Sequence, residues 1–250
     1  MDFSGYFCPI SKIFERLIYY RMTTPELVKT DDGSDTLFLP ELGEHFHSTF
    51  GAIQESTHVF IEAGLRKSEQ THLVIFEVGF GTGLNAYLTL TETLRTKQTI
   101  RYITVEKYPL QQSLWEALIY PTLIPGGSAK LFRKIHEVAW NEEVKITDYF
   151  SILKLSSDLS DVDYSTLPLL DLIFFDAFSP GKQPELWKTS VFRQISDHCL
   201  PASKIVTYCA KGEVRRSLNE VGFTTERIPG PHGKREMLRG IKTVQLHTSD

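Results

Sequence analysis

Three carboxylates and one glycine-rich segment carry most of the chemistry that can be read from this sequence. Glu77, Glu106 and Asp176 each end a compact apolar run: Leu73-Val74-Ile75-Phe76, Ile100 to Val105, and Leu169-Leu170-Asp171-Leu172-Ile173-Phe174-Phe175. Such runs read as buried strands, and the end of a buried strand is a costly place for a charge without a partner. The segment Glu77-Val78-Gly79-Phe80-Gly81-Thr82-Gly83 follows the first run, and its glycines let backbone approach a ligand closely. A dinucleotide fingerprint needs G-x-G-x-x-G, whereas the sixth residue counted from Gly79 is Leu84 and the third glycine comes early, at Gly83. Glu77 suits a nucleoside ligand with a cationic sulfonium and an amino group, where a pyrophosphate would be repelled. Glu106 is placed to accept both ribose hydroxyls, contacts worth about 1.5–3 kcal/mol, and Asp158, after Leu155-Ser156-Ser157, to accept from an adenine amino group. The competing readings are structural: glycines of an ordinary loop, a strand-end carboxylate in solvent, and turn-capping aspartates.

Asp176-Ala177-Phe178-Ser179-Pro180 puts its aspartate where the sheet edge meets the ligand. An alkylamine acceptor would need it most. Presenting the lone pair of an amine with a pKa near 10.4 at neutral pH costs about 4–5 kcal/mol. A neighbouring sulfonium lowers that pKa, and a carboxylate orients the amine and stabilises the positive charge that grows on nitrogen.

These residues need a frame. From Leu73 onward, apolar runs alternate with helical patterns, which predicts βα units on a mostly parallel, doubly wound sheet. Helices are expected over Leu84 to Leu94, from Pro109, near Leu131 to Val138, from Pro184 toward Cys199, and over Glu213 to Val221. Val144 to Leu155 predicts a hairpin or strand turning near Asp148, and further strands are expected at Ile205 to Tyr208, Phe223 to Ile228 and Met237 to Leu246. Between Thr36 and Leu65, short apolar groups spaced by Pro40, Gly43, Gly51 and Gly64 predict a small strand-and-turn cap with a short helix. The expected organisation is an extension over 1–21 and a single domain over 22–250 whose cap spans 22–70.

At 250 residues and 41% apolar content the chain can bury a sizeable core. Three scattered cysteines, none in a CxxC pair, give neither a disulfide scaffold nor a zinc site. No metal is expected, no apolar run is long enough for a membrane span, and the reading is cytoplasmic. Net charge is −4, but residues 201–250 hold 9 Lys+Arg against 5 Asp+Glu, so a polyanionic partner should meet that part.

Glu77 to Asn85 (EVGFGTGLN), Glu106-Lys107-Tyr108-Pro109-Leu110, Phe175 to Pro180 with Pro184 and Trp187, and Gly233-Lys234-Arg235-Glu236-Met237-Leu238 occur in one order. Together they resemble the MnmC/MnmD methyltransferase family, as do Asp31-Asp32-Gly33-Ser34 and Glu41 to Ser48, so the likeness runs from Thr24 to Lys242. The resemblance implies a class I, Rossmann-like fold that uses S-adenosylmethionine. It implies methyl transfer to 5-aminomethyl-2-thiouridine at the tRNA wobble position, met through the anticodon stem-loop, without the flavin-dependent domain of bifunctional members. It assigns Glu77, Gly79, Phe80, Gly81, Thr82, Gly83, Asn85, Glu106, Lys107, Asp158 and Ala177 to the cofactor and Asp176 to catalysis. Phe178, Tyr208, Lys211, Arg215, Arg216, Lys234 and Arg235 fall to the substrate, the basic ones as phosphate or anticodon-loop contacts. Ser157 departs from the family, which more often has glycine there. Trp187 and His232 are further candidates to stack on a flipped-out base, against packing or surface roles. The rival readings are an aminopropyltransferase, a methyltransferase for a small-molecule amine, and an RNA-binding module without catalysis. The first should place more carboxylates around Asp176 than Phe178, Pro180 and Lys182 suggest.

Overall fold

The computed structural model describes residues 24–243; the expected extension over 1–21 and the end of the strand expected to reach Leu246 lie outside them. Eight strands form the main sheet: β4 (His72–Val78), β5 (Thr99–Val105), β6 (Glu143–Thr147), β7 (Phe150–Leu155), β8 (Leu170–Phe175), β9 (Cys199–Thr207), β10 (Phe223–Pro229) and β11 (Glu236–Lys242), in the order β10-β11-β9-β8-β4-β5-β7-β6. The five central strands, β9 to β7, are parallel, and β11 and β6 run antiparallel to their neighbours.

The run of apolar residues in each central strand feeds two cores, because successive side chains point to opposite faces. Leu73 and Ile75 of β4, Ile100 and Tyr102 of β5, and Leu172 and Phe174 of β8 enter one core. Phe76 and Val78, Ile103 and Val105, and Ile173 and Phe175 enter the other. Helices α2 (Leu84–Thr96) and α5 (Ala129–Glu137) cover the first face, and α6 (Thr189–Asp197) and α7 (Gly212–Glu220) the second. The chain leaves β4 for β5 on one side and later returns to β8 on the other. A crevice therefore opens at the carboxyl ends of β4, β5 and β8, where the order reverses.

The cap pairs β1 (Glu26–Lys29) with β2 (Asp35–Leu39) and β2 with β3 (Glu44–His45), then runs into the short helix α1 (Ala52–Ser56) and a π-helical turn, Thr57–Glu62. Asp35 fastens it to the main domain: its carboxylate accepts from the Ile119 N–H at 3.0 Å, and its carbonyl accepts from the Tyr120 hydroxyl at 2.8 Å.

Several sequence expectations change: the helix expected from Pro184 toward Cys199 is a 3₁₀ turn, Pro184–Trp187, followed by α6 from Thr189, and the strand expected from Ile205 already begins at Cys199. The helix expected from Pro109 is α3 (Gln112–Glu116), because the chain stays extended through Gln111. Strand β1 carries no apolar alternation, being largely exposed and held by β2's backbone, which is why no pattern announced it. The hairpin around Asp148 is β6–β7, and helix α4 (Tyr120–Leu123) lies in the stretch that proline and glycine made unreadable.

Candidate active site

The strand ends and the cap enclose a cavity of about 560 Å³, within the range of small-molecule sites. Its floor is a backbone joint. The Gly79 N–H donates to the Val105 carbonyl at 3.0 Å, and the Asp176 N–H donates to the Val78 carbonyl at 3.1 Å, so the ends of β4, β5 and β8 are tied together. A Cβ on Gly79 would lie 2.9 Å from the Asp176 carbonyl oxygen, and φ is +90°; both facts require glycine. Gly81 turns its N–H to Glu106 Oε2 at 3.0 Å, while Glu106 Oε1 accepts from the Tyr108 N–H at 2.8 Å. The carboxylate is thus held at the cavity wall where ribose hydroxyls would meet it.

Lys154, buried in β7, braces this loop from behind. Its ammonium donates to the His136 carbonyl at 2.6 Å and lies 4.6 Å from the Trp140 ring centre and 5.5 Å from that of Phe80. Burial pulls it down to about 8.

Asp176 faces the cavity from the end of β8 and accepts from Asn85 Nδ2 at 2.8 Å. Burial first, and then the charge of Glu55, push its carboxyl up to about 7, against the Asn85 hydrogen bond and Lys234. Glu55 enters from α1. Its Oε2 pairs with Lys234 Nζ at 2.7 Å, its Oε1 accepts from the Ser48 N–H at 3.0 Å, and the Lys234 ammonium lies 3.9 Å from the Tyr208 ring centre. The Tyr208 hydroxyl donates to the Ala177 carbonyl at 2.9 Å, fixing the end of β9 beside β8. Phe46 meets the Phe178 ring at 5.1 Å, and the Ser179 hydroxyl donates to Glu44 at 3.0 Å, which closes the cap over this end. Burial pulls His47 down to about 4, so it lines the cavity as a neutral imidazole.

Among the residues singled out from the sequence, Gly79, Phe80, Gly81, Thr82, Asn85, Glu106, Lys107, Asp158, Asp176, Ala177, Phe178, Tyr208 and Lys234 line the cavity. Glu77 does not. Its side chain is fully buried behind the loop, and desolvation holds its carboxyl well above the usual range despite the nearby Thr104, Asn85 and Tyr102 side chains. Burial thus works against a negative charge at Glu77, and the side chain lies outside the cavity lining where a sulfonium would meet it. The Glu77 carboxyl lies among the Thr104, Asn85 and Tyr102 side chains, and Asn85 donates through Nδ2 to Asp176. Gly83 is also displaced from the expected role: at φ +73° it starts α2 against His136. Trp187 is buried against Phe175 and donates its N–H to the Phe178 carbonyl, so it cannot stack on a base.

Asp158 reaches the cavity with its carboxylate already engaged. It accepts from Lys107 at 2.8 Å and from the Ser160 N–H at 3.0 Å, and although desolvation opposes its charge, these donors hold it below the usual range. Lys234 is a cavity residue with a carboxylate partner, where the sequence suggested a surface phosphate contact. Lys211, Arg215, Arg216 and Arg235 are exposed and outside the cavity lining. Glu44, His47 and Glu55 went unnoticed in the sequence as site residues. No spacing could reveal Glu55, whose partner Lys234 is 179 residues away. Among the described residues no group of His, Cys, Asp and Glu could hold a metal ion.

Comparison with known proteins decides the donor. A family described as S-adenosyl-L-methionine-dependent methyltransferase matches residues 129–243, and the fold matches MNMC2 from Aquifex aeolicus with a TM-score of 0.74, 27% identity, and coverage of 94% of this chain and 78% of that one. The chain belongs to the S-adenosylmethionine-dependent methyltransferases. The methyltransferase is also 32% identical over 213 residues, 80% of its length, to the tRNA 5-methylaminomethyl-2-thiouridine biosynthesis bifunctional protein MnmC of Pseudomonas syringae pv. syringae, and 34% identical over 215 residues, 79% of its length, to the MnmC of Ectopseudomonas mendocina. It spans about a third of those relatives, 32% of each.

The residues present fit the cofactor: a loop whose glycines leave room for it, a carboxylate at the wall for its ribose, and a cavity of suitable size. Gly79 to Thr82 and Glu106 would hold the nucleoside, with Asp158 and Leu159 beside its base. When bound, S-adenosylmethionine supplies an electrophilic methyl group and keeps the departing electron pair on sulfur. Among the described residues no helix is long and apolar enough to cross a membrane.

Proposed function

We propose that this methyltransferase methylates the primary amine of 5-aminomethyluridine, with or without 2-thiolation, at the wobble position of tRNA. The observation that carries the reading is Asp176, a carboxylate that titrates at about 7 inside the donor cavity. An ammonium with an ordinary pKa near 10.4 must lose a proton before its nitrogen can attack. Handing it to a carboxylate at the ordinary 3.8 would cost about 9 kcal/mol; handing it to Asp176 costs about 5 kcal/mol. Asn85 keeps one carboxylate oxygen in place, and the ionised acid attracts the incoming ammonium. After methyl transfer the product is a secondary ammonium; once the proton taken up by Asp176 passes to solvent, the ionised carboxylate again faces a cation and stabilises it.

Glu44, Glu55 and Glu185 add carboxylates that the sequence did not place, and Lys182 and Lys234 line the same end. With Asp176 these make four carboxylates against two lysines, so local charge suits any cationic amine, and the choice of a nucleoside over a polyamine rests on the MnmC relatives. The names of the MnmC relatives support tRNA as the carrier of that amine, and exposed Arg215, Arg216 and Arg235, whose side chains have no partner among the described residues, suit phosphates.

The test is transfer of labelled methyl from S-adenosylmethionine to tRNA carrying 5-aminomethyluridine, followed by nucleoside analysis. Labelled 5-methylaminomethyl nucleoside is the expected product. Cofactor binding with no label in the tRNA would reject the substrate and leave the methyltransferase assignment standing.

A further inference from the structure

Phe50 is an aromatic ring held out at the cavity rim by a loop that cannot relax. Two segments place it there. Ser48 and Thr49, just before it, line the cavity, and so does Lys234, next to the Gly233 on which its ring lies. The backbone around it is fixed on every side. The Asp31 N–H donates to the Thr49 carbonyl at 2.9 Å, the Phe50 N–H to Ser48 Oγ at 3.2 Å, and the Gly51 N–H to the Ser48 carbonyl at 3.2 Å. Asp32 accepts from Ser34 on one side and from the Gln54 N–H of α1 on the other.

The support is equally specific. A Cβ on Gly233 would lie 2.2 Å from the Phe50 ring, so only glycine lets the ring rest on that backbone, and this accounts for the glycine of the GKREML segment. The His232 ring meets Phe50 at 5.2 Å and 60°. Phe50 stays 44% exposed, which is what one covered face and one open face leave. The flanking side chains His232 and Arg235 are exposed, and Arg235 has no side-chain partner among the described residues.

We propose that Phe50, backed by Gly233 and edged by His232, is a stacking platform for the base next to the nucleotide whose amine enters the cavity, with Arg235 on the connecting phosphate. The inference rests on the RNA reading above. A base has a flat apolar face that fits an exposed ring of any sequence context, while the phosphate beside it meets the cation. An apolar peptide would not use Arg235. The rigid loop means that little conformational freedom is lost when the base settles.

The experiment uses an anticodon stem-loop carrying 5-aminomethyluridine, with 2-aminopurine as its neighbour. Binding to the wild-type protein is expected to change 2-aminopurine emission, and Phe50→Ala to abolish that change and raise KM for the RNA roughly tenfold. The cofactor Kd should stay at the wild-type value, Phe50→Trp should restore KM, and Arg235→Ala but not Phe50→Ala should flatten the salt dependence of binding. A Phe50→Ala KM within twofold of wild type overturns the platform. So does a joint loss of Tm and cofactor affinity that Phe50→Trp does not rescue, because the ring then serves the chain's own packing. Wild-type protein that methylates no RNA removes the reading beneath the platform, and the platform with it; wild-type protein that methylates RNA with no change in emission overturns the platform alone.

Discussion

Replacing Asp176 by asparagine should strongly depress activity and stabilise the fold. The carboxyl rises from the ordinary 3.8 to about 7, chiefly because the folded protein desolvates it. Below about pH 4 both folded and unfolded chains keep the proton, so the group is neutral to stability. Between about 4 and 7 the unfolded chain ionises first and the folded chain binds more protons, so stability falls as pH rises. Above 7 the whole penalty is in place. The full shift corresponds to about 4 kcal/mol. The carboxylate faces a water-accessible cavity, which screens it, so the recoverable part is nearer 1–2 kcal/mol. Asparagine keeps an oxygen for Asn85 Nδ2, so no hydrogen bond is lost. For a domain of this size the cofactor-free Asp176→Asn protein should melt about 2–6 °C above wild type at pH 8 and level with it near pH 4, while kcat falls by roughly 10²–10³. Calorimetry at the two pH values and single-turnover methylation check both halves. Equal Tm at pH 8, or turnover within threefold of wild type, would refute the argument.

Three further outcomes follow from the site. Glu77→Gln should keep cofactor Kd within about threefold of wild type, since the side chain lies outside the cavity lining; Glu77→Ala should lower Tm sharply by removing the partner of the buried Thr104, Asn85 and Tyr102 side chains, at about 1–3 kcal/mol each, and a large loss of affinity in Glu77→Gln would restore a charged role. Gly79→Ala should lower the unfolding free energy measured in urea by more than about 1 kcal/mol and depress kcat, because φ is +90° and the new methyl meets the Asp176 carbonyl. Arg215→Ala with Arg216→Ala should flatten the slope of log KM for tRNA against log salt by roughly one to two phosphate contacts; an unchanged slope takes α7 off the RNA surface.

The sheet was legible because its central strands are apolar on both faces, a pattern that periodicity reports directly. The strand-end wall of the cavity was legible for a related reason: the glycine loop, Glu106 and Asp176 sit at the ends of such strands, so finding the strand finds the residue. What sequence missed depends on contacts between distant segments. Glu55 matters because α1 meets the β10–β11 loop, and the Glu77 carboxyl is raised because folding buries it, with Thr104, Asn85 and Tyr102 opposing the shift, which no neighbour in the chain reveals. Lys234 looked like a surface cation in a basic segment, and only the folded chain shows the carboxylate and the ring it meets.

The joint at Gly79 bears on how such an enzyme could change over time. The backbone that cradles the donor and the backbone that carries Asp176 touch there with no room for a methyl group, so a mutation that reshapes one moves the other. The cap is coupled to the same joint although its strands form a separate sheet: Phe46 lies against Gly81, and the Glu55 charge raises the Asp176 carboxyl. A change of acceptor that works through the cap therefore also retunes Asp176 and presses on the glycine loop, so the two ends of the cavity must change together.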